Sequence, residues 1–185
     1  MQTLKKSPLN KVLFLKLFIL LILLVVCIQD ITTRLVYWIA FPLLALSFFY
    51  LNHLQGAVMR EQGQAAIMNI GLVLIQLLLI SAYFSFKEKK LVMLTKQYLG
   101  IGDIFFLLSV ACYLSVFNFL FFYVISLVVT LAAWLTVQSF LARKRQEVPL
   151  AGLQSLVLIL LLISSWWLGR PALTDDTWIQ NLLRK

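Results

Sequence analysis

Two acidic residues, Asp30 and Asp103, lie next to long apolar runs in a chain of 185 residues that contains seven acids in all. Ionisable side chains at membrane depth are costly, and for that reason they point to a function by default. The other five acids lie in polar segments, where solvated ion pairs or a short interfacial helix account for them: Glu61, Glu88, Glu147, Asp175 and Asp176. Asp30 and Asp103 are therefore the strongest candidates for chemistry.

Two carboxyl groups within a few ångströms of each other cannot both ionise easily, so that the pKa of one rises and the pKa of the other falls. The ionised carboxylate could take a proton from a water molecule that attacks a peptide carbonyl. The protonated carboxyl would donate to the carbonyl oxygen. The apparent pKa values would then belong to the pair and not to either residue. The chemistry that two such acids could perform is hydrolysis of an amide bond.

Each acid also has a simpler interpretation when it is considered alone. The segment 100–103 reads Gly-Ile-Gly-Asp and precedes an apolar run, which is typical of a helix start with Asp103 as its N-cap. Asp30 could pair with Arg34 in a loop, although we slightly favour a contact of Arg34 with lipid headgroups. The functional interpretation therefore depends on the two acids being close to each other.

The elements that would position these acids are membrane helices. The chain is 62% hydrophobic and 12% charged, with a mean hydropathy of +0.96, whereas soluble domains carry about a quarter charged residues. Its net charge of +9 comes from short basic clusters beside the apolar runs, a placement that suits contact with lipid headgroups and not a nucleic-acid groove. We therefore predict membrane lipid, and no nucleic acid, as a partner.

Six apolar segments predict an all-α, polytopic membrane protein of about six transmembrane helices in one domain spanning residues 1–185. Polar residues inside the segments, namely Asn69, Gln76 and Gln154, are predicted to form interhelical hydrogen bonds. A single Asn118 separates the fourth segment from the fifth, so these two form either a tight hairpin or one merged helix. The segments are Val12–Ile28, Leu35–Leu51, Ala65–Phe86, Ile104–Phe117, Phe119–Leu141 and Leu150–Gly169.

The order of these segments places both acids on the same membrane face. Asp30 follows the first segment and Asp103 precedes the fourth, so that two complete crossings lie between them. The basic residues divide eight against eight between the two sets of alternate loops, and a simple count does not orient the chain. One set is concentrated in three short loops on the side of the two acids, which favours that side as the cytoplasmic one.

The sequence around the two acids resembles that of the type IV prepilin peptidases and the archaeal preflagellin peptidases. The segment 100–103 looks like the Gly-x-Gly-Asp motif of this family, and the segment 30–37 (Asp-Ile-Thr-Thr-Arg-Leu-Val-Tyr) resembles its first aspartate motif. The segment 147–152 (Glu-Val-Pro-Leu-Ala-Gly) is similar to the family's entry into the last helix. The three motifs follow the family order, and the distance from the first to the last spans residues 30–152, which is most of the chain.

The resemblance implies a six-helix aspartyl endopeptidase that needs no metal or other cofactor, with Asp30 and Asp103 as catalytic residues. Gly100, Gly102 and Arg34 would bind substrate or support the pair, since the glycines would let the backbone turn sharply and bring Asp103 close to substrate. The implied substrate is a pilin-like precursor, whose basic leader peptide would be removed at the cytoplasmic face of a bacterial inner membrane. The resemblance does not imply an oligomeric state.

The chain departs from the family pattern at several positions. Phe105 occupies the position, two residues after the second aspartate, where the family commonly has Lys, and Val36-Tyr37 replaces a Pro-Asn pair. The four-cysteine region of the bifunctional members is absent, so N-methylation of the product is not expected. Two alternatives remain open: an inactive relative, and a non-enzymatic transporter or assembly subunit. A transporter is expected to hold its ionisable groups near the midplane, whereas these acids lie at segment ends.

Overall fold

A computed structural model of the chain describes residues 8–88, 100–141, 149–168 and 173–176. These residues form six α-helices and contain no strand, which confirms the predicted all-α class. The basic clusters at 89–96 and 143–145, which contribute to the orientation argument, lie outside the described residues. The helices are α1 (Pro8–Thr32), α2 (Ala40–Leu54), α3 (Met59–Glu88), α4 (Ile101–Ala111), α5 (Val116–Leu141) and α6 (Leu150–Leu168).

Four of these helices, α1, α3, α5 and α6, are long and apolar enough to cross a membrane. The other two are shorter: α2 has 15 residues and α4 has 11, below the roughly 17–25 residues that a transmembrane helix requires. The long helices expose large aliphatic side chains, such as Leu78 on α3 and Leu160 on α6, which are 69% and 61% exposed. Apolar surface of this extent is suited to lipid, in agreement with a multi-pass membrane protein.

The short helix α4 lies in the interior of the bundle. Its side chains at Phe106, Leu107 and Val110 are buried, and it packs against α2, α3 and α6. The Ser109 hydroxyl donates to the carbonyl oxygen of Phe41 at 2.9 Å and so joins α4 to the first turn of α2. Helix α6 packs mainly against α1 and α5. This arrangement brings the end of α1 and the starts of α4 and α6 to one end of the bundle.

The boundary between the fourth and fifth helices differs from the sequence prediction. Helix α4 ends at Ala111 and α5 begins at Val116, so the break lies several residues before Asn118. Asn118 is buried in the first turn of α5, where its amide donates to the Ser115 hydroxyl at 2.7 Å. Hydropathy did not reveal the break, because the linking residues 112–115 (Cys-Tyr-Leu-Ser) are mostly as apolar as the helices beside them.

The predicted interhelical amide bonds form at two of the three positions. Asn69 donates from Nδ2 to the carbonyl oxygens of Ala111 (3.1 Å) and Leu114 (2.8 Å), and Gln76 donates to the hydroxyl of Tyr123. The prediction is wrong for Gln154, because neither its amide oxygen nor its amide nitrogen has a hydrogen-bond partner among the described residues. Asn69 therefore donates to one carbonyl group at the end of α4 and to one in the link that follows, and both would otherwise lack this donor.

Replacing Asn69 by Leu is expected to lower the free energy of unfolding by about 1–3 kcal/mol, because the buried carbonyl groups of Ala111 and Leu114 lose this donor. The matched control is Gln154→Leu, in which a fully buried amide without a partner is replaced by an apolar side chain. We expect this control to leave stability unchanged or to increase it. Thermal unfolding midpoints in detergent micelles measure both effects, and equal losses in the two variants would contradict the capping role of Asn69.

Candidate functional site

Asp30 lies in the last turn of α1, and its side chain is only 8% exposed. Its Oδ2 accepts a hydrogen bond of 2.6 Å from the backbone N–H of Gly152, in the first turn of α6. A buried carboxylate requires such donors, because an ionised group without hydrogen bonds is strongly disfavoured away from water. The N-terminus of α6 supplies the donor from N–H groups that have no partner within their own helix.

Asp103 is the third residue of α4 and not the N-cap that the sequence suggested. Gly100 is the N-cap, and the Asp103 carboxylate reaches back to accept from the Gly100 N–H at 3.2 Å. Its other oxygen, Oδ1, accepts a hydrogen bond of 2.9 Å from the backbone N–H of Ala151. Helix α4 begins before Asp103 because the Asp103 carboxylate, at the third helical position, is the acceptor for the backbone N–H of the cap residue Gly100.

The two carboxylates therefore bind to consecutive backbone N–H groups, those of Ala151 and Gly152. Two hydrogen bonds and one residue of backbone span at most about 9 Å, so the bonded oxygens of Asp30 and Asp103 lie no further apart than that. The positive end of the α6 dipole also favours negative charge at this place. Two helix ends thus present their carboxylates to the N-terminus of a third helix.

Asp103 lies outside the four helices that are long enough to cross a membrane, at the beginning of α4. Burial raises the pKa of Asp103 to about 6, and the negative charge of Asp30 contributes to the rise. The hydrogen bonds from Ala151 and Gly100 act in the opposite direction, since they stabilise the ionised form. The effect of one carboxylate on the other is the behaviour expected of a pair that shares a proton.

This raised pKa predicts that the protein loses stability as the pH increases from about 4 to about 7. The folded state binds the Asp103 proton more tightly than the unfolded state, so its contribution is complete below the unfolded pKa and is lost as the pH rises through about 6. In Asp103→Asn the contribution of Asp103 to this loss should be absent. The unfolding midpoint of the variant minus that of the wild type is therefore expected to increase by several degrees as the pH rises over this range. Parallel pH profiles would contradict the prediction.

The three glycines near the carboxyl pair differ in what they contribute. A Cβ at Gly100 would lie 3.0 Å from Oδ2 of Asp103, so this position needs a small residue because of close approach. Its backbone (φ −67°, ψ 138°) is accessible to any residue, and no unusual turn is involved. A Cβ at Gly102 would make only ordinary contacts with the ring of Phe41, at 3.7 Å or more. The expected sharp turn at these two glycines is therefore wrong.

Gly152 is a supporting residue that the sequence reasoning did not name. A Cβ at this position would lie 3.1 Å from both Cβ and Oδ2 of Asp30 and 3.2 Å from the carbonyl oxygen of Cys27. The absence of a side chain thus lets the first turn of α6 approach the end of α1 closely. The segment 147–152 contained the signal, since it ends in this glycine, but only the packing of α6 against α1 gives the glycine its role.

Arg34, two residues after the end of α1, has a left-handed conformation (φ 58°), and its N–H donates to the carbonyl oxygen of Gln29 at 3.1 Å. Its positive charge lies close enough to Asp30 to act on that carboxylate. Phe105, at the position where the related family commonly has Lys, is 46% exposed and stacks on Phe41 with a centroid distance of 6.2 Å. The structure therefore brings Arg34 to the carboxyl pair and places an apolar ring at position 105.

Comparison of the chain with protein-family models, with curated proteins and with solved structures finds no match. A functional assignment must therefore be argued from the residues of the site. Those residues are Asp30 and Asp103, the Gly100 N–H, the two amides that begin α6, and the charge of Arg34.

Proposed function

We propose that this chain is a membrane aspartyl endopeptidase in which Asp30 and Asp103 are the catalytic residues. The observation that carries the proposal is the hydrogen bonding of both carboxylates to adjacent N–H groups at the start of α6. A structural N-cap would explain one such carboxylate, but a single helix start has no need of two acids from two different helices. Paired carboxyl groups with a raised pKa are characteristic of acid–base catalysis.

In the proposed reaction, Asp103 is the protonated member and Asp30 is the carboxylate. Asp30 takes a proton from a water molecule, whose oxygen attacks the carbonyl carbon of the scissile peptide bond. Asp103 donates its proton to the carbonyl oxygen, which gives a tetrahedral diol. Asp30 then passes the proton it took from water to the amide nitrogen, and Asp103 takes back a proton from a hydroxyl of the diol as the C–N bond breaks. A free acid and a free amine are released, and the pair again holds one proton. Asp103 is assigned the proton because burial and the negative charge of Asp30 raise its pKa to about 6, whereas the positive charge of Arg34 acts on Asp30.

The proposed setting is a six-helix membrane domain in the inner membrane of a bacterium, with α2 and α4 as shorter helices beside the four long ones. The resemblance of the segments 30–37, 100–103 and 147–152 to the prepilin peptidases supports a pilin-like precursor as the substrate. Asp30, Asp103 and the start of α6 lie at one end of the bundle, because both carboxylates accept from the first N–H groups of α6. Cleavage of the leader peptide would then take place at the cytoplasmic face.

The test is co-expression of the wild-type chain with a pilin-like precursor from its own cell, followed by mass measurement of the precursor. Removal of the leader by the wild type, and its persistence with Asp30→Asn or Asp103→Asn, is the expected result. A wild type that leaves every such precursor intact would instead support an inactive relative or a non-enzymatic subunit, and Phe105 would be the first residue to examine. Protease accessibility of a tag inserted between residues 89 and 99 would determine the orientation separately.

A further inference from the structure

Lys16 carries a positive charge on α1, one of the four helices that are long and apolar enough to cross a membrane. It lies about 12 Å along the helix axis from Pro8 and about 21 Å from Asp30, at 1.5 Å per residue. Its side chain is half-buried, whereas that of Lys11, nearer the start of α1, is exposed. An ammonium group at this depth requires a compensating partner, because lipid tails cannot solvate it.

The partner that the structure gives Lys16 is the ring of Trp166, in the last turn of α6. The Lys16 Nζ lies 5.3 Å from the centroid of this ring, within the distance at which an aromatic face attracts a cation. The ring is held in place, because its Nε1 donates to the hydroxyl of the buried Tyr113 at 2.8 Å. Tyr113 in turn stacks on Phe48 with a centroid distance of 4.5 Å. The ammonium group therefore lies over a fixed aromatic surface.

No acidic side chain among the described residues forms an ion pair with Lys16. The sequence has no acid in residues 1–29 and none in residues 148–174, so that α1 before Asp30 and all of α6 lack a carboxylate. The attraction of an aromatic face for an ammonium group is smaller than the cost of that group at the centre of a bilayer. The charge of Lys16 is therefore only partly compensated by the ring of Trp166.

The surroundings of Lys16 are suited to the headgroup layer of a membrane. Side chains of a helix lean toward its N-terminus, so that the ammonium group of Lys16 is directed to the nearer end of α1. Trp167, which is 51% exposed, adjoins Trp166 with a centroid distance of 6.0 Å. Tryptophan is enriched at membrane–water interfaces, where its ring meets the acyl chains and its N–H donates to polar groups. Lys16 and the two indoles thus lie together at the end of the bundle opposite to the carboxyl pair.

We propose that Lys16, Trp166 and Trp167 bind the headgroup phosphate of an anionic phospholipid in the leaflet opposite to the carboxyl pair. The phosphate supplies the negative charge that α1 and α6 lack at this end, and its oxygens accept from the Lys16 ammonium group. A lipid whose headgroup carries its own cation binds less well, because that cation already compensates the phosphate. This binding site does not depend on the proposed peptidase function.

The experiment titrates the full-length chain in detergent micelles with phosphatidylglycerol and, separately, with phosphatidylcholine. Phosphatidylcholine is the matched ligand, because it has the same phosphate but a cationic headgroup. Native mass spectrometry counts the lipids retained, and the thermal unfolding midpoint follows stabilisation. We expect saturable binding of one phosphatidylglycerol, about fivefold tighter than that of phosphatidylcholine. Equal binding of the two lipids by the wild type would overturn the proposal.

Three variants connect the lipid to Lys16. Lys16→Gln, which keeps a long side chain but removes the charge, is expected to weaken phosphatidylglycerol binding about fivefold, whereas Lys16→Arg should retain it. Lys87→Gln is the control, since it removes an exposed charge from the last turn of α3 and should leave binding unchanged.

Unchanged lipid binding in Lys16→Gln would overturn the proposal. A change from dimer to monomer in this variant, with lipid binding unaltered, would assign the position to an acidic group of a second copy instead. If Lys16→Gln failed to fold, the comparison of the two lipids on the wild type and on Lys16→Arg would still decide the question.

Discussion

Cleavage of a precursor by the Asp30→Asn and Asp103→Asn variants is expected to be slower than cleavage by the wild type by at least about a hundredfold. Proton transfer by a positioned carboxyl group contributes about 10²–10⁴-fold, and each variant removes one of the two partners in that transfer. Asn keeps one oxygen that can accept from the N–H of Ala151 or Gly152, and equal unfolding midpoints of variant and wild type at one pH near neutrality would show that the loss comes from the chemistry and not from the fold. The measurement is the rate of leader removal from a purified precursor in proteoliposomes.

The double variant gives a sharper test of the pair. If Asp30 and Asp103 act as a unit, the double variant should cleave no more slowly than either single variant, because the first substitution already removes the function. Glu61→Gln is the control, since it neutralises an exposed acid at the other end of the bundle. It should retain the full rate. If either single aspartate variant kept more than a tenth of the wild-type rate, the assignment of the pair would be wrong.

Gly152→Ala is expected to lower the cleavage rate about a hundredfold and stability by about 1–3 kcal/mol. The added Cβ would meet Asp30 at 3.1 Å and the backbone oxygen of Cys27 at 3.2 Å, both closer than ordinary contacts. Helix α6 must then move away from α1, and this movement lengthens the hydrogen bond between Gly152 and Asp30. The experiment compares cleavage rates and unfolding midpoints of variant and wild type under the same conditions.

Gly71→Ala is the matched control for this substitution. Gly71 lies inside α3, and a Cβ at this position would have no atom within 4 Å. Since Ala favours a helix over Gly by up to about 1 kcal/mol, this variant should be as active as the wild type and as stable or more so. If Gly152→Ala behaved like Gly71→Ala, the close approach of α6 to α1 would have no importance for the site.

The helical class and most of the helix positions follow from the sequence because hydropathy reports them directly. An apolar run in lipid must pair its own backbone groups, so that each long run becomes a helix. The predicted segment Val12–Ile28 falls inside α1, and Leu150–Gly169 agrees closely with α6. The rule fails for the short helix α4, since the turn after Ala111 is made by residues as apolar as the helix itself. Hydropathy cannot locate a turn that the composition does not interrupt.

The candidate site could be predicted only in part. The sequence indicated Asp30 and Asp103, and the order of the segments placed them on one side, because these arguments need only residue types and the number of crossings. It could not show that the backbone N–H groups of Ala151 and Gly152 hold the carboxylates, since every residue but proline has such a group. Nor could it show which amides have partners: Asn69 and Gln154 look alike in the sequence, but only Asn69 makes hydrogen bonds, and it makes them through its amide nitrogen alone.

The shortness of α4 has an electrical consequence. This helix has 11 residues and is about 16 Å long, roughly half the 30 Å of a hydrocarbon core, and it separates the carboxyl pair from the link at residues 112–115. A transmembrane voltage falls only where water is excluded. Water reaching both ends of α4 would therefore confine the voltage to about half the usual distance and roughly double the field. A proton that reached Asp103 from its own side of α4 would cross little of this field, whereas a proton that came from the far end of the helix would cross nearly the full drop, which is worth about 2.3 kcal/mol per charge for each 100 mV.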